Sequence, residues 1–176
     1  FGERGILLGA VHGIAESLYA RYVSQGMAKD DAYLNTSESI TGPISKSISR
    51  SGLKAVYEEL DEKEKASFRK AYNAAYHPTR EILEEIYDDV ASGNEVRSVI
   101  QATRRHDTYP MGKIDSTDMW VVGEEVRADS QRNYAPINPE TAGTYMACMM
   151  AQVDLLKERG HPYSEIANES IIEAVD

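Results

Sequence analysis

Apolar residues in this chain recur at steps of three and four, and nowhere do they alternate at period two for long. Leu7, Val11, Ile14, Leu18 and Tyr22 repeat in this way, as do Ile82, Leu83, Ile86 and Val90. That spacing lines up one face of an α-helix, whereas a half-buried strand needs every second residue. The chain therefore reads as all-α, and sheet-based folds are excluded. With 176 residues and 41% apolar side chains, it is large enough for one domain with a real core.

The spacing predicts a helix over 3–25, closed by Gly26 in a left-handed conformation. A second runs from Asp30 and Asp31 through Tyr33 and Ile40 to about residue 48, interrupted at Gly42-Pro43 because proline removes a backbone donor. After the turn at Ser51-Gly52 come a short helix over 53–60 and another over 61–76. His77-Pro78-Thr79 breaks the pattern, which resumes over 80–91, turns at Ser92-Gly93-Asn94 and continues over 95–105. Residues 106–139 are rich in Pro, Gly, Asp and Asn and read as a long irregular connection packed through Tyr109 and Trp120. Helix returns over 140–159, stops at Gly160 and restarts after His161-Pro162 over 163–175.

Two glycine-to-glycine windows, 9–26 and 143–160, each carry a helix followed by a polar turn and a second helix. At the shift that superposes them, Asn35 falls opposite Glu169 and Ser39 opposite Glu173. A duplicated helix–turn–helix unit is therefore expected.

Acidic residues outnumber basic ones by 29 to 19, for a formal charge of −10, which argues against coating a nucleic acid. No apolar run approaches the roughly 20 residues of a membrane helix, and the Phe1-Gly2-Glu3-Arg4 opening has no basic signal-peptide region. One cysteine, Cys148, excludes a disulfide framework and a Cys-cluster zinc site, and on an apolar helix face it reads as a small buried hydrophobe. The histidines at 12, 77, 106 and 161 lack metal-ligand spacing; His77 and His161, each before a proline, read as turn residues. Neither the Gly-x-Gly-x-x-Gly nor the Gly-x-x-x-x-Gly-Lys-Ser/Thr phosphate motif is present.

Carboxylates carry the sharpest chemistry. Glu165, Glu169 and Glu173 are four apart and form one acidic ridge on a helix, beside Ile166, Ile171, Ile172 and Val175. Such a ridge is either solvated or a site for a hard divalent cation, which prefers carboxylate oxygens. Glu3, ahead of the most apolar helix, is either a helix-dipole partner or a second ligand.

Longer strings carry a family likeness. The opening Phe1-Gly-Glu-Arg-Gly-Ile-Leu-Leu-Gly-Ala-Val-His-Gly13 resembles plant-type (class II) ketol-acid reductoisomerase, or acetohydroxyacid isomeroreductase. Collinear matches follow at Ile40-Thr-Gly-Pro-Ile-Ser-Lys46, Asp89-Val-Ala-Ser-Gly93, Arg97-Ser-Val99, Pro110-Met-Gly-Lys-Ile-Asp115, Met149-Met-Ala-Gln152, Tyr163-Ser-Glu-Ile166, Asn168-Glu-Ser170 and Ile172-Glu-Ala-Val-Asp176. The resemblance spans the whole chain and concerns the family's knotted, internally duplicated helical C-terminal domain. It implies Mg²⁺-dependent alkyl migration in 2-acetolactate or 2-aceto-2-hydroxybutyrate, then reduction by NADPH, in the synthesis of valine, leucine and isoleucine. It implies two Mg²⁺ ions held by Glu3, Glu169 and Glu173, with Glu173 also contacting substrate and Leu7 and Leu8 walling its pocket. It leaves Glu165 as a flanking residue. The family's bridging Asp would precede Phe1, its substrate-contacting Ser would follow Asp176, and its NADPH-binding Rossmann domain lies upstream. Residues 1–176 accordingly read as an incomplete metal- and substrate-binding domain of a longer protein, inactive alone. A homodimer in a plastid is implied, with the bacterial cytoplasm as the alternative compartment. The competing reading is a non-catalytic helical assembly domain that keeps the family fold.

Overall fold

The computed structural model describes residues 9–105, 108, 117–129 and 137–175, with the Glu173 side chain excepted. Within them the chain is helical and contains no strand, as the period of its apolar residues requires. A π-helical turn at 9–11 leads into α1 (His12–Ser24), followed by α2 (Lys29–Asn35) and α3 (Ser37–Ser39). A second π-turn, Ile40–Ile44, joins α3 to α4 (Ser45–Ser51), and α5 is Leu53–Glu58. Then come α6 (Glu62–Ser92), α7 (Asn94–Arg105), α8 (Asp118–Ala128), α9 (Pro139–Glu158) and α10 (Tyr163–Ala167). The described chain ends in a third π-turn, Asn168–Ile172, and α11 (Glu173–Val175). No described helix is long and apolar enough to cross a membrane.

Helix α6 starts on a capping box. Glu64 N donates to Asp61 Oδ1 at 2.8 Å, and Asp61 N donates back to Glu64 Oε2 at 2.9 Å. It ends at Gly93, whose φ of 75° is open to a residue without a Cβ. Between these ends it runs for 31 residues through Pro78, so the expected break at His77-Pro78-Thr79 does not occur and His77 is a helical residue. A proline inside a helix costs about 3 kcal/mol, and packing on α9 offsets it on both sides. Tyr76 OH donates to Asp154 at 2.6 Å, Thr79 Oγ1 lies 3.2 Å from Cys148 Sγ, and Leu83 packs with Ala151 and Leu155. Arg80, paired with both Glu84 and Glu158, closes the contact.

Helix α9 is buried almost all round, which is the expected state of a helix apolar on every face. Its buried residues include Tyr145, Met146, Cys148, Met149, Gln152, Leu155 and Leu156. Asn138 caps it, the Oδ1 accepting from Glu140 N and Thr141 N at 3.0 Å each. Pro139 at its first turn loses a donor that would have had no partner there. A Cβ at Gly143 would run into the Phe68 carbonyl oxygen and the Ala71 methyl, so glycine sets how closely α9 approaches α6. Cys148 is buried as expected, and burial pushes its thiol pKa up, away from nucleophilic use.

Two other expectations fail for physical reasons. The second helix breaks at Thr36 (φ −115°, ψ −90°), not at Gly42-Pro43, which sits inside the π-turn. Thr36 is fully buried and its hydroxyl donates to Ala32 O at 2.7 Å, competing with the main-chain ladder. The stretch 106–139 is not irregular throughout: Thr117 caps α8, whose Met119, Val122 and Val126 face the core. Trp120 is 40% exposed and is not its anchor, while Tyr109 lies outside the described residues.

Asp118 ties α8 to α1 and α2, accepting from Tyr19 OH at 2.7 Å and pairing with Lys29 Nζ at 2.6 Å. The Lys29 ammonium first, and the Tyr19 hydroxyl second, hold its carboxyl below the usual carboxylate range. A depressed folded pKa adds stability that is full above the unfolded value, about 3.9, and lost as pH falls through the folded one. Asp118→Asn therefore lowers the urea midpoint at neutral pH, and the gap to the parent closes as pH falls below about 4; a gap independent of pH would contradict this. Gly143→Ala, by overpacking the α6–α9 contact, is expected to cost about 1–3 kcal/mol in the same measurement; an unchanged midpoint would mean the helices separate freely.

Candidate metal centre

The carboxylate segment is pinned to α9 from beneath. Ile166 and Ser170 point inward, 8% and 0% exposed, while Ile171, Ala174 and Val175 pack partly buried on the core. Tyr145 and Gln152 lie seven residues apart on one face of α9. Gln152 Nε2 donates to the Glu169 carbonyl at 2.8 Å, and Tyr145 OH donates to the Ala174 carbonyl. Burial pushes the Tyr145 pKa well above the phenol range, so it remains a donor. These two bonds bracket the turn that carries Glu169 and Glu173. The π-turn Asn168–Ile172 adds a residue to the helical ladder there, so the acidic ridge does not lie on one uninterrupted α-helix.

The ridge residues have different surroundings. Glu165 Oε1 is 3.0 Å from His161 Nδ1, and His161 Nε2 is 2.7 Å from Tyr87 OH on α6. His161 is thus a turn residue, as expected, and links α10 to α6. Glu169 is half-buried and lines a cleft of about 320 Å³ with Tyr87, Val90, Leu156, His161 and Glu165. Among the described residues no three His, Cys, Asp or Glu side chains form a metal-holding group. Glu3, Leu7, Leu8 and the Glu173 side chain lie outside the described residues.

A second arrangement matches this one at the shift read from the sequence. Gly26 and Gly160, with φ of 94° and 81°, end α1 and α9. Gln25, Gly26 and Met27 donate their amides to Arg21 O, Val23 O and Tyr22 O, each at 3.0 Å. Arg159, Gly160 and His161 donate to the corresponding Leu155 O, Lys157 O and Leu156 O at 3.0, 3.1 and 3.0 Å. Ala28 (φ −60°, ψ 146°) and Pro162 (φ −68°, ψ 150°) then enter α2 and α10 in the same conformation. Both units close with the same helix-ending bonds.

In the first unit, the two positions opposite Glu169 and Glu173 are held by neutral residues, and both reach Asn138. Asn138 Nδ2 donates to Asn35 Oδ1 at 3.0 Å, and Asn138 N donates to Ser39 Oγ at 3.1 Å. Thr141 Oγ1 donates to Asn35 O at 2.7 Å. Tyr22 OH donates to Asn138 Oδ1 at 3.1 Å, and burial raises its pKa to about 12, so it stays protonated. Two positions four apart in one unit thus converge on the start of the long helix of the other unit. This crossing is the geometry from which a chelating pair can be built.

The sequence profile of the ketol-acid reductoisomerase C-terminal domain matches residues 1–132. The chain belongs to the ketol-acid reductoisomerase family. It is 57% identical to the chloroplastic ketol-acid reductoisomerase of Pisum sativum, an alignment taking in 100% of this chain and 32% of that protein. Against the chloroplastic enzyme of Spinacia oleracea the identity is 56%, over 100% of this chain and 31% of the other. The mitochondrial enzyme of Saccharomyces cerevisiae is 22% identical over 72% of this chain and 33% of its own length. The chain spans about a third of the length of the curated relatives it matches. Its all-helical described part agrees with the resemblance read from the sequence.

Sequence reasoning missed Asn138, Tyr145 and Gln152 as organisers of the two units. Gln152 left a signal, as the polar residue closing the otherwise apolar run Met146–Ala151 on a helix. Asn138 sat inside what read as an irregular connection. Asn138→Ala removes the α9 cap and the shared partner of Asn35 and Ser39, and is expected to cost about 2 kcal/mol. Asn138→Asp, which keeps the cap acceptor, is expected to cost less. Denaturant midpoints that rank the two variants the other way would contradict this role.

Proposed function

We propose that this chain is the metal- and substrate-binding part of a ketol-acid reductoisomerase. The crossing of Asn35 and Ser39 onto Asn138 carries the reading. The two units are an internal duplication on this account, within the knotted domain fold of the family. The same shift puts Ile137 opposite Glu3, Thr141 opposite Leu7 and Ala142 opposite Leu8. Thr141 and Ala142 are fully buried at the first unit's crossing. Asn138 itself falls opposite Arg4, so the crossing applied to the second unit brings the segment that carries Glu3 and Arg4 towards Glu169 and Glu173, with Leu7 and Leu8 following it. Carboxylate oxygens are the donors a hard cation takes, and three of them would hold two Mg²⁺ ions together with substrate and water.

When bound, the ions supply Lewis acidity at the hydroxyl and carbonyl oxygens of the acetohydroxy acid. Glu3 and Glu169 hold and orient them. Glu173 accepts a hydrogen bond from the substrate hydroxyl and takes up its proton as the alkyl group migrates. Leu7 and Leu8 exclude water, which strengthens each of these charges. Substrates are 2-acetolactate and 2-aceto-2-hydroxybutyrate, and the rearranged 2-keto acid is reduced by NADPH held mainly on an upstream Rossmann domain. The complete protein is a homodimer working in branched-chain amino-acid synthesis in a plastid, the compartment in the names of the pea and spinach relatives.

In the complete enzyme, Glu169→Gln is expected to lower isomerisation more than about 100-fold, beyond the usual cost of losing a group behind a ligand. NADPH affinity stays near the parent value. Isomerisation retained at the parent rate would defeat the assignment.

A further inference from the structure

The two units treat one buried position differently. Leu18 of α1 and Gln152 of α9 correspond at the shift that relates the units, and both are buried, 7% and 0% exposed. Leucine suffices in the unit whose crossing is neutral. The unit that carries the carboxylates places an amide there, although its Oε1 is buried with no hydrogen-bond partner among the described residues. An unpartnered buried amide oxygen is a standing cost, and native proteins keep few of them. The other end of the same amide makes one bond, to the main-chain carbonyl of Glu169 at 2.8 Å.

The matching residues Thr36 and Ser170 repeat the contrast. Both are fully buried. Thr36 donates to Ala32 O at 2.7 Å and marks the end of α2. The Ser170 hydroxyl has no partner among the described residues, and helical structure continues through it as the π-turn Asn168–Ile172. In the first unit a local side-chain bond ends the helix. In the second, the bond comes from α9 and the helix is carried on to residue 175.

We propose that Gln152 is a positioning residue for the carboxylate pair: its amide, by holding the Glu169 carbonyl, sets the register of the π-turn so that residues 169 and 173 face a divalent cation. This rests on the functional reading above and adds to it a residue that touches neither ion nor substrate. Groups that orient a metal ligand typically change affinity 10–100-fold when removed.

The test uses the complete enzyme with Gln152→Leu, the residue the first unit accepts at that place, and Gln152→Met, closer in shape, should the leucine variant not fold. Mg²⁺ binding is measured directly by calorimetry, beside NADPH affinity and the metal-free denaturant midpoint. The expected result is a Mg²⁺ dissociation constant raised about 10–100-fold with NADPH affinity unchanged. Mg²⁺ affinity within twofold of the parent, whatever happens to the midpoint, would overturn the proposal and leave Gln152 a packing residue. Glu169→Gln is run in parallel. If it weakens Mg²⁺ binding and the Gln152 variants do not, only the positioning role fails; if it leaves Mg²⁺ binding intact, the metal-site reading itself fails.

Discussion

The close contact of α9 with α6 is the constraint from which the rest follows. Gly143 lets the two helices meet at the Phe68 carbonyl, and the bonds from Tyr76, Thr79 and Arg80 to α9 continue the contact past Pro78. With α9 fixed and buried, its start and its middle become reference points for other elements. Asn138 at its start gathers Asn35, Ser39 and Tyr22. Tyr145 and Gln152 in its middle hold the carbonyls of Ala174 and Glu169. One helix thus organises both helix–turn–helix units.

The two units close with matching helix-ending bonds and carry different chemistry at matching positions. In the first, a carboxamide and a hydroxyl accept hydrogen bonds from the Asn138 side chain and main chain, inside the protein. The matching positions of the second unit, Glu169 and Glu173, are carboxylates, whose oxygens are the donors a hard cation takes. On the proposed reading, stability resides in one crossing and catalysis in the other, and a chain that needed both functions obtained them by changing a few side chains on a repeated frame.

Much of the frame was legible. The helices end where glycine takes a left-handed conformation, at Gly26, Gly93 and Gly160, because few other residues adopt it without strain. The internal shift was readable from the paired glycine-to-glycine windows 9–26 and 143–160. Pro78 misled because its local cost is outweighed by contacts to α9, far away in sequence. Pro43 misled because a π-turn absorbs it. Helix α8 was hidden by Pro110 and Gly112 before it and Pro136 and Pro139 after it, although Thr117, Met119, Val122 and Val126 follow the cap-and-face pattern of a helix. Of the proposed site, Glu169 was singled out by its spacing and by the family likeness. The role of Gln152 depends on which main-chain carbonyl it meets, and residue type carries no information about that.

The central claim is the proposal that the segment before α1, which carries Glu3, crosses onto Glu169 and Glu173 as Asn138 crosses onto Asn35 and Ser39. The most direct test is anomalous X-ray scattering from crystals of the complete protein grown with Mn²⁺ in place of Mg²⁺. The account predicts manganese peaks within about 2.5 Å of carboxylate oxygens of Glu3, Glu169 and Glu173, one ion shared across the two units. Peaks bound to other groups, with Glu3 far from Glu169, would contradict it.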